Sequence, residues 1–311
     1  MTSSMTLNSK MEAYQYMVEL SQTHASIMKN LLSEATVSFF TNADQGKSGI
    51  SKLIGYIAAF IDGLVKLIEF AINKIKALFK HFSARAKDVQ MGNAEFIAKY
   101  GARLQAIEYA VVNFEGYPMN GEISSYGGEI GMMSGSNYSD LKAIILDGNK
   151  AFKDSNDISV QVARNRYSIL GGNEFITNAQ SLSDNDFKNA LVNKYYGQKG
   201  YYSYNVHDAV NMIKNYRIQY ENIKHLNDLA QTNGNNDIRE LQQLKNLFKS
   251  RTIQGRLGLV KDDLVEQLNM LSRYRTQTLQ DSILAFGVIL KFVDDMNLQA
   301  KAICIKALQE N

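Results

Sequence analysis

The sequence predicts a mainly α protein: an elongated helical bundle with a small irregular or β insertion in the middle. Three observations carry that expectation. The 311 residues hold a single proline, Pro118, where average usage would place about fifteen. Proline removes a backbone donor and breaks helices, so a chain that avoids it leaves long helices uninterrupted. Apolar residues recur at helical spacing through most of the chain. One stretch departs: residues 115–140, "EGYPMNGEISSYGGEIGMMSGSNYSD", gather six of the 21 glycines and the only proline.

Taken in order, "KMEAYQYMVELSQTHASIMKNLLS" (10–33) places Met11, Tyr14, Met17, Val18, Ile27, Met28 and Leu31 at helical spacing. A second helix is expected from about Ser48 to Ala86, capped by Ser48 or Ser51. A third is expected from Asn93 to about Phe114. The glycine-rich section then reads as a loop or short hairpin. "LKAIILDG" (141–148) and "DISVQVARNRYSIL" (157–170) suit helix or strand, and Gly171–Gly172 close the section. Beyond it, "SDNDFKNALVNKYY" starts at a Ser183 cap, and helices are expected at 205–231 and 237–250. Asp237 and Glu240 stand at the capping-box spacing. The last helix, from Lys261 to Glu310, would be about 70 Å long at 1.5 Å per residue. Its stripe includes Leu264, Leu268, Leu271, Leu279, Ile283, Phe286, Ile289, Phe292, Val293, Met296, Ile303 and Leu308, with Gly287 the only helix-weakening residue in its interior and the one place that leaves room for a kink. The expected division is a helical region at 1–114, a Gly/Tyr-rich mixed insertion at 115–180 and a helical region at 181–311.

Composition excludes wholesale disorder: 45% hydrophobic, 21% charged, net charge +3. The lone Cys304, in "AKAICIKAL", reads as a small core residue, because one cysteine makes no internal disulfide and no CxxC pair exists. "MTSSMTLNSKMEAYQYMVEL" lacks a basic region followed by an apolar run, so no signal peptide is expected.

Residues 41–48, "TNADQGKS", end like a phosphate-binding loop ahead of a helix. Such a loop needs glycine at its first position, where the backbone curls to aim its N–H groups at phosphate. Thr41 stands there instead, and Asp44 would set a carboxylate beside the anion. "AIILD", ending in Asp147, imitates the second half of such a site. No alternation of strands and helices supports it, so the stretch reads as a polar turn. No nucleotide or other cofactor is expected.

The helix after that turn is amphipathic and basic. Lys52, Asp62, Lys66, Glu69, Lys74, Lys76 and Lys80 gather on one face. Leu53, Ile57, Phe60, Ile61, Leu64, Ile68, Ile72, Ile75, Phe79 and Phe82 fill the other. Its most apolar twenty residues contain Asp62, Lys66 and Glu69, which argues against a transmembrane span. Two readings stand: a core helix with solvated lysines, or a helix that meets a membrane or partner surface through Lys52, Phe60, Lys66, Lys74, Lys76, Phe79 and Lys80.

The four histidines, His24, His81, His207 and His225, show no metal-ligand spacing, and no metal site is expected. The acidic pair at 262–263 reads as a cap and that at 294–295 as a solvated edge. "NKYYGQKGYYSYN" (193–205) sets Tyr195, Tyr196, Tyr201, Tyr202 and Tyr204 in a loop suited to contacts in an assembly. Basic–aromatic loops also stack nucleobases. No catalytic constellation is present, so the chain reads as non-enzymatic, with no small-molecule substrate.

"GLVKLIEFAINKIKALFKHF" followed by "NAEFIAKYGARLQAIE" resembles a pattern in virion structural proteins of large tailed bacteriophages. There an apolar-basic helix is followed by an Asn-x-x-Phe-Ile-x-Lys-Tyr-like segment. The similarity covers residues 60–105 and carries over no functional residues. It implies a non-enzymatic component of the particle, in the head interior or tail. Its partners would be other virion proteins and further copies of itself, and its location the virion, after assembly in the host cytoplasm. The other class is a membrane-active helical protein of the pore-forming or translocator kind, using residues 50–82.

Overall fold

The computed structural model describes residues 46–119, 137–146, 151–170, 182–248 and 261–310. The helix expected at 10–33, Thr41 to Gln45 of the loop, Asp147, most of the glycine-rich section and Gly171–Gly172 lie outside them.

The protein is mainly α with one small antiparallel sheet. In chain order the elements are α1 (Gly46–Ala106), β1 (Val111–Gly116), α2 (Asn137–Leu146), α3 (Ser155–Leu170), α4 (Asp184–Tyr196), β2 (Gly200–Asn205), α5 (Val206–Lys214), α6 (Tyr216–Leu247) and α7 (Lys261–Glu310). The described residues fall into two compact units. One takes those within Met1–Ala71, Ser134–Ile158 and Asn233–Gln277, the other those within Ile72–Met133, Ser159–Thr232 and Thr278–Asn311.

In the first unit, α1 buries Leu53, Ile57, Ile61, Leu64 and Ile68, α2 buries Leu141, Ile144 and Ile145, and α7 buries Leu264, Leu268 and Leu271. Polar side chains tie these elements at defined points. Lys245 of α6 reaches both carboxylate oxygens of Asp62 at 2.6 Å. Arg275 of α7 donates to Asp140 of α2 at 2.6 Å. The side-chain amide of Gln267 pairs with both backbone groups of Phe152, accepting from its N–H at 3.0 Å and donating to its carbonyl at 2.7 Å.

In the second unit, β1 pairs with β2 from Val111 opposite Asn205 to Gly116 opposite Gly200. Alternation along the strands turns Val112 and Tyr204 inward and leaves Val111, Asn113, Tyr201 and Ser203 outward. Asn205 ends β2 and caps α5, its side chain accepting from the His207 N–H at 2.8 Å. Ser183 caps α4 as expected, accepting from the Asp186 N–H at 3.2 Å and donating back to its carboxylate at 2.6 Å.

Several expectations change. The break expected between Ala86 and Asn93 does not occur, because α1 continues to Ala106. Residues 111–116 are strand rather than helix end, since their partner is β2, far along the chain. The sheet therefore pairs the start of the glycine-rich section with a strand that follows helices α2, α3 and α4. The stretches that suited helix or strand at 141–148 and 157–170 contribute helices α2 and α3. The break expected before Asp237 is absent too: α6 runs through it and Asp237 is buried. The chain turns instead at Asn215, between α5 and α6. The terminal helix spans Lys261–Glu310 as expected, continuous through Gly287. Its stripe from Leu264 to Ile303 is buried by the chain itself, with Leu308 half-buried.

Candidate functional site

The basic amphipathic helix is the start of α1, and its apolar face is not free. Leu53, Ile57, Phe60, Ile61, Leu64, Ile68, Ile72, Ile75 and Phe82 are all buried. Phe60, expected on a contact surface, lies in the core. Phe79 is half-buried and stacks on Tyr220 at 6.0 Å. Lys66, Lys76 and Lys80 are exposed, Lys74 is half-buried, and Lys52 falls in the first turns of α1. The helix spends its apolar side on its own core, which is the core-helix reading. Among the described residues, no helix is long and apolar enough to cross a membrane.

Gly46, Lys47 and Ser48 of the loop-like stretch sit in the first turn of α1. "AIIL" before Asp147 lies in α2, so the strand that a second nucleotide motif requires is a helix.

The tyrosine-rich stretch is not a loop. Tyr195 and Tyr196 end α4, and Tyr201, Tyr202 and Tyr204 lie on β2. Four of the five are used within the chain. Tyr196 donates to Asp295 at 2.8 Å and stands edge-on to Phe292. Tyr195 tilts against Phe292 and borders the buried cluster of Ile169, Phe187, Leu191 and Ala285. Tyr202 donates to the Gln198 carbonyl and Tyr204 to that of Tyr117. Tyr201 alone of the five points to solvent, 80% exposed, on the outward face of the sheet with Val111.

The acidic pair at 294–295 departs furthest from expectation. Instead of a solvated edge, it joins three helices. The Asp294 side chain is only 13% exposed; it accepts from Tyr216 of α6 at 2.7 Å and pairs with Arg85 of α1. Asp295 accepts from Tyr196 of α4 and from Lys291, one turn back, at 2.6 Å. Burial, then the neighbouring carboxylates, drive the pKa of Tyr196 and Tyr216 far upward. Both phenols therefore stay protonated and donate. A tyrosine acting as base or nucleophile needs the opposite shift, so this cluster is built to hold helices.

A second buried ion cluster serves the same end. The Arg166 side chain, 3% exposed, makes a two-pronged contact with Asp281 at 2.7 and 3.0 Å. It also donates to Asp184 and to the Leu182 carbonyl, both at 2.5 Å. Its guanidinium lies over the Phe187 ring. Burial pulls its pKa down, but the carboxylates more than offset this, and the net direction is up. Asn93 and Asn297, both buried, exchange amide hydrogen bonds at 2.9 and 3.2 Å.

His81, His207 and His225 are exposed, and His24 lies outside the described residues. No group of three or more His, Cys, Asp or Glu that could hold a metal exists among the described residues. Cys304 is buried, and burial pushes its thiol up to about 12, as befits a core residue. Sequence reasoning missed the polar partners of α7 because each lies far along the chain; the only local signal was Asp, Asn and Gln inside an apolar stripe. Comparison with protein-family models, curated proteins and solved structures finds no match.

Proposed function

We propose that the protein is a structural or assembly protein, a component of a large tailed bacteriophage particle that works by binding other virion proteins and copies of itself. The observation that carries this reading is the pattern of residues 60–105, which resembles that of virion structural proteins. Two features of the build support it. Buried polar side chains, Arg166, Asp281, Asn93 and Asn297 among them, are spent on fixing helices against one another. Tyr201 and Val111 present apolar surface on the outward face of the sheet, where an assembly contact would use it. The test is immunodetection of the chain in density-gradient-purified particles. Constant stoichiometry with the major capsid protein is expected; a chain confined to the particle-free soluble fraction overturns the reading.

A further inference from the structure

The lysines of α1 were set apart by the sequence, and the second unit gives the later ones a setting. From Ile72 to Lys87 the helix carries Lys74, Lys76, Lys80, Arg85 and Lys87 and no carboxylate. Arg85 is engaged by Asp294. At 100° per residue, Lys76, Lys80 and Lys87 fall within an arc of about 40°. All three are exposed, and none forms an ion pair among the described residues.

That arc borders α6. Ser83 and Tyr220 share a hydrogen bond of 2.8 Å, and Phe79 and Phe82 both stack on the Tyr220 ring at 6.0 Å. Arg85 and Tyr216 meet on Asp294. Contacts thus run down α6 as they run up α1, so the two helices are antiparallel. The same angular count places Arg217 and Lys224 on the solvent side of Tyr220, both exposed. Lys76, Lys80 and Lys87 therefore line one bank of a shallow groove, Arg217 and Lys224 the other. Half-buried Phe79, Ser83 and Tyr220 form its floor. Glu221 and Asp228 stand further out on α6, beyond the basic bank.

We propose that this groove binds the phosphodiester backbone of a nucleic acid. Charge complementarity selects the occupant. Lys76 and Lys87 lie about 16 Å apart along the axis at 1.5 Å per residue. A line of cations of that length matches several successive phosphates, which on one strand recur about every 3.4 Å of duplex axis. The match is one of cations to backbone charge, so binding is independent of sequence and steeply salt-dependent. The inference does not rest on the virion reading.

The full chain is titrated with a fluorescein-labelled DNA duplex of mixed sequence, its single strand, and phosphatidylglycerol vesicles, at several salt concentrations. Binding to DNA is expected, weakening as salt rises. The triple substitution Lys76→Gln, Lys80→Gln, Lys87→Gln lowers DNA affinity about tenfold or more and reduces the salt slope by about 3, roughly one per phosphate contact. The matched triple Lys99→Gln, Lys142→Gln, Lys153→Gln, taken from exposed lysines elsewhere, changes affinity less than about threefold. Circular dichroism confirms that both variants fold. No DNA binding at low salt, equal losses in both triples, or binding to vesicles without DNA each overturns the proposal.

Discussion

Gln299 of α7 holds both backbone groups of Tyr117 at once, accepting from its N–H at 2.8 Å and donating to its carbonyl at 2.7 Å. It does for the residue after β1 what a third strand would do, using one side-chain amide. Gln267 does the same for Phe152 in the other compact unit. Both clasps satisfy a backbone donor and acceptor at once, and at Tyr117 the carbonyl is shared with the Tyr204 hydroxyl.

Replacing Gln299 with alanine strands the Tyr117 N–H and leaves its carbonyl to Tyr204 alone, and should cost about 1–3 kcal/mol. Gln299→Glu should also destabilise, because a carboxylate keeps the N–H bond but sets a second acceptor against the carbonyl. Gly116→Ala is a third route to the same damage: a Cβ there would lie 2.5 Å from the Gln299 amide oxygen. Urea unfolding measures all three, and wild-type midpoints would contradict the account.

Arg166 is a case where removing one partner is worse than removing both. Arg166→Met leaves Asp281, itself buried, without its counter-charge, and should destabilise by about 3–5 kcal/mol. Adding Asp281→Leu should recover much of that loss, because an apolar pair avoids desolvating two ions. A double variant no more stable than Arg166→Met would show that the pair is not the cause.

Alkaline stability should report Tyr196 and Tyr216. Their folded pKa values are raised, by burial first, above the ordinary 10.0. A raised folded value means that the unfolded chain loses these protons first. Their contribution is complete below pH 10.0 and is lost as pH rises above it. Thermal melts from pH 9 to 11.5 should fall more steeply for wild type than for the Tyr196→Phe, Tyr216→Phe variant. Parallel curves would contradict the assignment.

Much of this fold was legible along the chain. Lys261–Glu310 shows an uninterrupted apolar stripe with no proline, and Ser183 heads α4 with a serine and aspartate at cap spacing. What stayed hidden depends on partners distant in sequence. Asn93 reads as a helix start because asparagine caps helices, yet here its side chain faces inward to Asn297 and α1 passes straight through. Asp237 misleads in the same way, buried in mid-helix. Val111–Gly116 looks like the end of a helix until its partner strand, Gly200–Asn205, is known. The candidate site was legible by halves: α1 shows its lysines, but nothing local shows that Arg217 and Lys224 stand across from them.

The Asn93–Asn297 pair has a bearing on how many ways this chain can assemble itself. Leucine and isoleucine stripes are forgiving; a helix slid along its neighbour by a turn still finds oil against oil. A reciprocal pair of buried amides is not forgiving, since any slide strands four polar atoms away from water. One matched position in a long greasy seam acts like the tooth of a key. It adds little holding force, and it makes every other setting of the lock fail.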